Sequence, residues 1–106
     1  MAQTPASPEL KLETVTASEE IVIRCIGKLT YTSAEMLRST LRPLFPESKR
    51  VVLDLKDMTY LDSFGLGVLV SAFLSARRQD CQLRLVNANR QAQQIIRITN
   101  LGYLIE

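Results

Sequence analysis

The chain has 106 residues, 46% of them hydrophobic, with a formal net charge of +2 and no histidine. That length and apolar content fit one domain with a real core and leave little room for a second domain or a deep cavity between domains. Basic residues are scattered, with Lys49-Arg50 and Arg77-Arg78 only as pairs and no tryptophan, which argues against a nucleic-acid partner. The start of the chain lacks the basic-then-apolar pattern of a secretory signal. The longest apolar run, Phe64 to Val70, is too short for membrane insertion. A cytoplasmic domain is the expectation.

Residues 1–9, MAQTPASPE, contain two prolines and small polar residues and read as a flexible leader, so the folded domain is expected over 10–106. Leu10 to Val15 alternates weakly, as an edge strand does. Ile21 to Ile26 is a stronger strand, rich in β-branched residues and ended by Gly27, with Ala17 to Glu20 as a hairpin turn. Thr32 or Ser33 can cap a helix, with Glu35 supporting its first turn. Its apolar face is Ala34, Leu37, Leu41, Leu44 and Phe45, and Pro43 and Pro46 end or kink it.

Val51 to Leu55 is nearly continuous in apolar residues, as expected of an interior strand buried on both faces. A second helix spans Leu66 to Arg78, with Leu66, Leu69, Val70, Phe73 and Leu74 on one face. Leu83 to Val86 is another strand. Asn87 or Asn89 can cap a third helix through Ala92, Ile95, Ile96 and Thr99, which Gly102 ends. Tyr103 to Ile105 can form a last short strand. This order predicts an α/β single domain: a mixed sheet of four to five strands with parallel pairs, packed with three to four helices. Cys25 and Cys81 sit in apolar stretches and read as buried reduced thiols, with a disulfide or redox pair as the alternative. With no histidine, two cysteines cannot complete a structural zinc site.

The chemistry concentrates at Asp62-Ser63-Phe64-Gly65-Leu66-Gly67. A serine nucleophile needs a base, and histidine is absent from the chain. The glycine-x-serine-x-glycine elbow also fails, since Leu61 stands two residues before Ser63. Lys56 is the nearby lysine and carries no recognised spacing. Gly65-Leu66-Gly67 lacks the third glycine of a dinucleotide fingerprint and the Gly-Lys-Ser/Thr ending of a P-loop; its glycines read as permitting a tight turn and a close backbone approach. Asp54, Asp57 and Asp62 read as a solvated acidic loop, with a divalent-metal site as the alternative. Ser63 itself reads equally as a helix N-cap or as a phosphate acceptor at a helix N-terminus.

The stretch VVLDLKDMTYLDSFGLGVLVSAF resembles the central motif of STAS domains, the family of bacterial anti-sigma-factor antagonists, in which Asp-Ser-Ser/Thr-Gly-Leu-Gly joins a strand to an amphipathic helix. IVIRCIGKLTYTSAEML looks like the family's earlier strand, Gly-x-Leu turn and first helix, and CQLRLVNANRQAQQIIRITNLGYLIE like its last strand and third helix. Phe64 replaces a small residue, and Thr30 stands where many antagonists carry an aspartate. The resemblance implies a STAS-like domain that is a substrate and not an enzyme, with no cofactor of its own. It implies capture, in the unphosphorylated state, of an anti-sigma-factor serine kinase of the GHKL ATPase type. It further implies release on phosphorylation of Ser63 and resetting by a PP2C-like phosphatase. The partner-binding residues so implied are Lys28, Thr30, Thr32, Asp62, Phe64, Gly65 and Leu66. The alternative is a non-switching STAS interaction module, a scaffold or a lipid-transport complex subunit. Phe64 would either tuck into the core or add an exposed apolar contact.

Overall fold

The structure, a computed structural model, describes residues 9–100. Most of the leader, the stop at Gly102 and the short strand at 103–105 lie outside the described residues. Strand β1 (Leu10–Ala17) pairs antiparallel with β2 (Glu20–Leu29) across the hairpin turn that the alternation predicts. Helix α1 (Tyr31–Leu41) follows, and with Pro43 in its first turn the next segment, Arg42–Glu47, tightens into a 3-10 helix. Strand β3 (Arg50–Asp54), strand β4 (Met58–Leu61), helix α2 (Ser63–Arg78), strand β5 (Gln82–Val86) and helix α3 (Arg90–Arg97) complete the described chain.

The five strands form one mixed sheet in the order β1-β2-β3-β5, with β4 beside β2. β2 to β3, β3 to β5 and β2 to β4 are parallel. Val51, Val52 and Leu53 of central β3 are all buried, as their unbroken apolar run predicts. Ile23, Cys25, Val51, Leu53, Leu83 and Leu85 form the inner face, in one core cluster with Leu37, Leu41, Leu69, Ala72, Ala76, Ala92 and Ile96 of the three helices. On the alternate positions Arg24 reaches across strands to Glu13 at 3.2 Å and Asp57 at 2.8 Å.

Several details depart from the sequence reading. β4 was not foreseen: Met58-Thr59-Tyr60-Leu61 buries only its two ends, so it lacks a strand's period and exists because β2 offers it a partner. β2 continues past Gly27 to Leu29. The buried line of α2 is Gly65, Leu69, Ala72 and Ala76, whereas Leu74 is 46% exposed. Small residues let this helix lie close on the sheet, so the contact runs through them and the larger side chains flank it. For α3 the cap is Asn89, whose side-chain oxygen accepts from Ala92 N at 2.8 Å. Asn87 instead adopts φ 61° and donates to Asp54, and Thr99 lies beyond the helix end. Cys25 and Cys81 are free and buried, and burial, with some help from the Asp54 charge, pushes the Cys25 thiol up to about 12.

Candidate functional site

The site is assembled by a change of partner along β2. Its first half pairs with β3 from Glu20 to Arg24, and its last residues pair with β4. Within the β2–β4 pairing the register shifts between Gly27, opposite Met58, and Lys28, opposite Tyr60, leaving Thr59 as the extra residue on β4. Gly27 has φ +116°, and a Cβ there would run into the Glu9 carbonyl, so only glycine fits beside this irregularity. Downstream, Leu29 lies opposite Leu61 in the parallel register. The next residue on each strand, Thr30 and Asp62, is the N-cap of α1 and α2 respectively. Two helices therefore start side by side.

Asp62 ties the two starts together. Its Oδ1 accepts from Gly65 N at 2.9 Å, capping α2, and its Oδ2 accepts from Tyr31 N at 3.1 Å, in the first turn of α1. Its own N–H donates to the Leu29 carbonyl at 3.2 Å. Ser63 is thus not the cap. It is the first residue of the helix proper, exposed at the surface, because the aspartate one position earlier reaches Gly65 N of α2 with one carboxylate oxygen and Tyr31 N of α1 with the other.

The two glycines sit inside α2, not in a turn before it. A Cβ on Gly65 would meet the Leu29 carbonyl oxygen and come within 2.7 Å of Leu29 Cγ and Leu61 Cδ1, whereas nothing lies within 4 Å of one on Gly67. Gly65 lets the helix start press onto the ends of β2 and β4. Gly67 only leaves the outer surface low. Leu66 is half-buried against the core.

A second cluster forms around the start of α1. Glu9, the last residue of the expected leader, accepts from the Thr30 hydroxyl at 2.8 and 2.9 Å and from the Thr32 hydroxyl at 2.6 Å. Its carbonyl accepts from Lys28 N at 2.9 Å. These hydroxyls, Thr32 first and then Thr30, hold the Glu9 carboxyl below its ordinary range. The cap of α1 is Thr30 and not Thr32 or Ser33. Ser33 is buried, its Oγ accepting from Thr30 N at 2.9 Å and donating to the Lys28 carbonyl at 2.7 Å. No acidic residue occupies the first turn of α1, and Glu9 supplies that charge from outside the helix.

Phe64 does not tuck into the core. It is 57% exposed and meets the 72% exposed Tyr31 edge to face, ring centroids 5.0 Å apart. Tyr31 and Glu9 escaped the sequence reading, and so did Gln91. Its side-chain amide accepts from Leu61 N at 3.2 Å and donates to the Leu61 carbonyl at 2.7 Å, holding the strand end that leads to Asp62. An aromatic at a helix start is a readable signal for Tyr31, but nothing local marks Glu9 or Gln91. The acidic residues go separate ways: Asp54 accepts from Asn87 and Lys56 N, Asp57 from Arg24, and Asp62 caps. Among the described residues no acidic or cysteine group of three gathers to hold a metal, and no helix is long and apolar enough to cross a membrane.

Comparison with known proteins gives a consistent result. The family profile described as STAS domain matches residues 11–106. The chain is 33% identical over 87 residues to the anti-sigma-B factor antagonist of Bacillus subtilis (strain 168), covering 82% of this chain and 80% of that protein. In fold it is similar to the anti-sigma factor antagonist SpoIIAA in its unphosphorylated form, with a TM-score of 0.78 at 20% identity over 92% of this chain and 85% of the other. SpoIIAA of Bacillus in the phosphorylated form matches with a TM-score of 0.74 at 20% identity, over 92% and 88%.

Proposed function

The chain belongs to the STAS domain family, and from that premise we propose that it is an anti-sigma-factor antagonist switched by phosphate on Ser63. The observation that carries this reading is the setting of Ser63: exposed, first in α2, next to the Asp62 cap and beside the exposed Tyr31–Phe64 pair. A hydroxyl so exposed is accessible to an enzyme that brings its own base and nucleotide. In the absence of phosphate the aromatic pair, Leu66 and the Lys28–Thr32 turn would form the face that captures an anti-sigma-factor kinase of the GHKL ATPase type.

Phosphate adds about −1.5 to −2 charges. At a helix N-terminus the free N–H groups and the dipole tolerate that charge, so the fold survives. The same charge beside an apolar contact face disfavours association by desolvation and repulsion. A PP2C-like phosphatase would restore the capturing form. The domain would then act as substrate, with Mg-ATP held by the kinase, and Ser63 would need no base of its own.

The test is direct. The purified chain is incubated with Mg-ATP and the histidine-kinase-like ATPase encoded nearest its gene, and phosphate is mapped by mass spectrometry. Phosphate on Ser63, absent from Ser63→Ala, is the expected result. Stable complex formation without transfer would instead support the non-switching module.

A further inference from the structure

Two depressions open between α1 and α2, and Arg38 lines both of them. One, of about 460 Å³, lies at the helix starts and includes Tyr31, Phe64 and Val68. The other, of about 180 Å³, lies toward the helix ends, where Arg38, Arg42 and Arg78 line it together with Ser71 and Ser75. Together they make one groove running away from Ser63. From Phe64 to Arg78 along α2 it covers about 20 Å at the helical rise.

No acidic residue lines the basic end. The carboxylate of Glu35 approaches Arg38 only to 3.8 Å and is 78% exposed, a pair worth little in solvent. Helix C-termini favour cations, which accounts for a basic residue in the last turn of each helix. It does not account for three arginines, from α1, the 3-10 segment and α2, lining one depression. Their forked donors suit carboxylates, and the opposite end of the groove offers an aromatic surface.

We propose that the α1–α2 groove seats an acidic segment of the ATPase that phosphorylates Ser63, with an apolar side chain of that segment on Tyr31 and Phe64 and its carboxylates on Arg38, Arg42 and Arg78. This docking presupposes the kinase–substrate relationship above and adds what the kinase must carry to be chosen. The basic end lies far from the phosphate site, so it supplies selectivity in both phosphorylation states while Ser63 governs release.

The experiment measures the affinity of the full chain for the neighbouring ATPase by titration calorimetry at low and high salt. The variant is Arg42→Glu/Arg78→Glu; the control with the same charge change, Arg77→Glu/Arg90→Glu, lies outside the groove. The groove variant should weaken binding by about tenfold or more, and the control should stay within about threefold, all melting as the unmodified chain does. Equal loss in variant and control would overturn the groove in favour of general charge attraction. Unchanged binding of the groove variant with normal phosphorylation of Ser63 would overturn the groove and leave the switch intact. Displacement of the ATPase by inorganic phosphate alone would reassign the arginines to a small anion and overturn the docking. Absence of both binding and phosphate transfer by the unmodified chain would overturn the docking together with the switch on which it rests.

Discussion

Gly65 and Gly67 lie two residues apart in the same helix, yet replacing each with alanine should have opposite effects. An added methyl at Gly65 would strike the Leu29 carbonyl oxygen and lie 2.7 Å from Leu29 Cγ and from Leu61 Cδ1. The oxygen belongs to backbone and cannot rotate away, so α2 must lift from the ends of β2 and β4. Overpacking of this kind costs about 1–3 kcal/mol. A backbone oxygen that cannot give way puts this contact in the upper half of that range, about 2–3 kcal/mol, and removing a helical glycine returns about 1 kcal/mol of propensity, leaving Gly65→Ala less stable by about 1–2 kcal/mol. At Gly67 nothing lies within 4 Å, so only the propensity gain operates and Gly67→Ala should be more stable by about 0.5–1 kcal/mol. Thermal unfolding followed by circular dichroism reads both, since 1 kcal/mol shifts the midpoint of a domain this size by about 4–8 °C. A Gly65→Ala protein as stable as the original would refute the close approach of α2 to the strand ends.

Other consequences follow from single contacts. Asp62→Ala removes the acceptor for Gly65 N and Tyr31 N and should cost about 1–2 kcal/mol in urea unfolding, with Asp62→Asn recovering only part of it, because the single amide oxygen can cap Gly65 N or accept from Tyr31 N but not both. The Glu9 carboxyl is held below its ordinary value of 4.5 by the Thr32 and Thr30 hydroxyls, so the unfolded chain binds its proton more readily than the folded one. That stability is present above pH 4.5 and disappears as pH falls through the lowered value. Glu9→Gln should therefore flatten the acid limb of the midpoint–pH curve, and an unchanged limb would remove Glu9 from the cluster. Cys25, with its thiol pushed up to about 12 by burial, should react with a thiol reagent at neutral pH only after denaturant is added.

Much of the fold was legible because hydrophobic period is local. The runs at Ile21 to Ile26, Val51 to Leu55 and Leu83 to Val86 became β2, β3 and β5. What escaped depends on distant partners. β4 is four residues long and owes its existence to the end of β2, which runs past the end of the β3 pairing. The cap of α2 went to Asp62 and not Ser63 because its carboxylate also reaches Tyr31 N on the neighbouring helix, a contact with no trace in local sequence. The cap of α1 moved back to Thr30 for a related reason: Ser33 is drawn inward by the Lys28 carbonyl. Glu9 read as leader because its threonine partners lie more than twenty residues away. The Asp-Ser-x-Gly-Leu-Gly motif located the site in the chain, but the pairing of Phe64 with Tyr31 needed the two helix starts to be brought together.

The switch itself is tested most directly by comparing the affinity of the neighbouring ATPase for the unphosphorylated chain and for the same chain carrying phosphate on Ser63. A charge placed in an apolar contact face costs several kcal/mol, so the phosphorylated form should bind about a hundredfold more weakly or worse. It should still fold, with a midpoint within a few degrees of the unmodified chain, because the start of α2 accommodates the phosphate. Equal affinity for the two folded forms would contradict switching at Ser63.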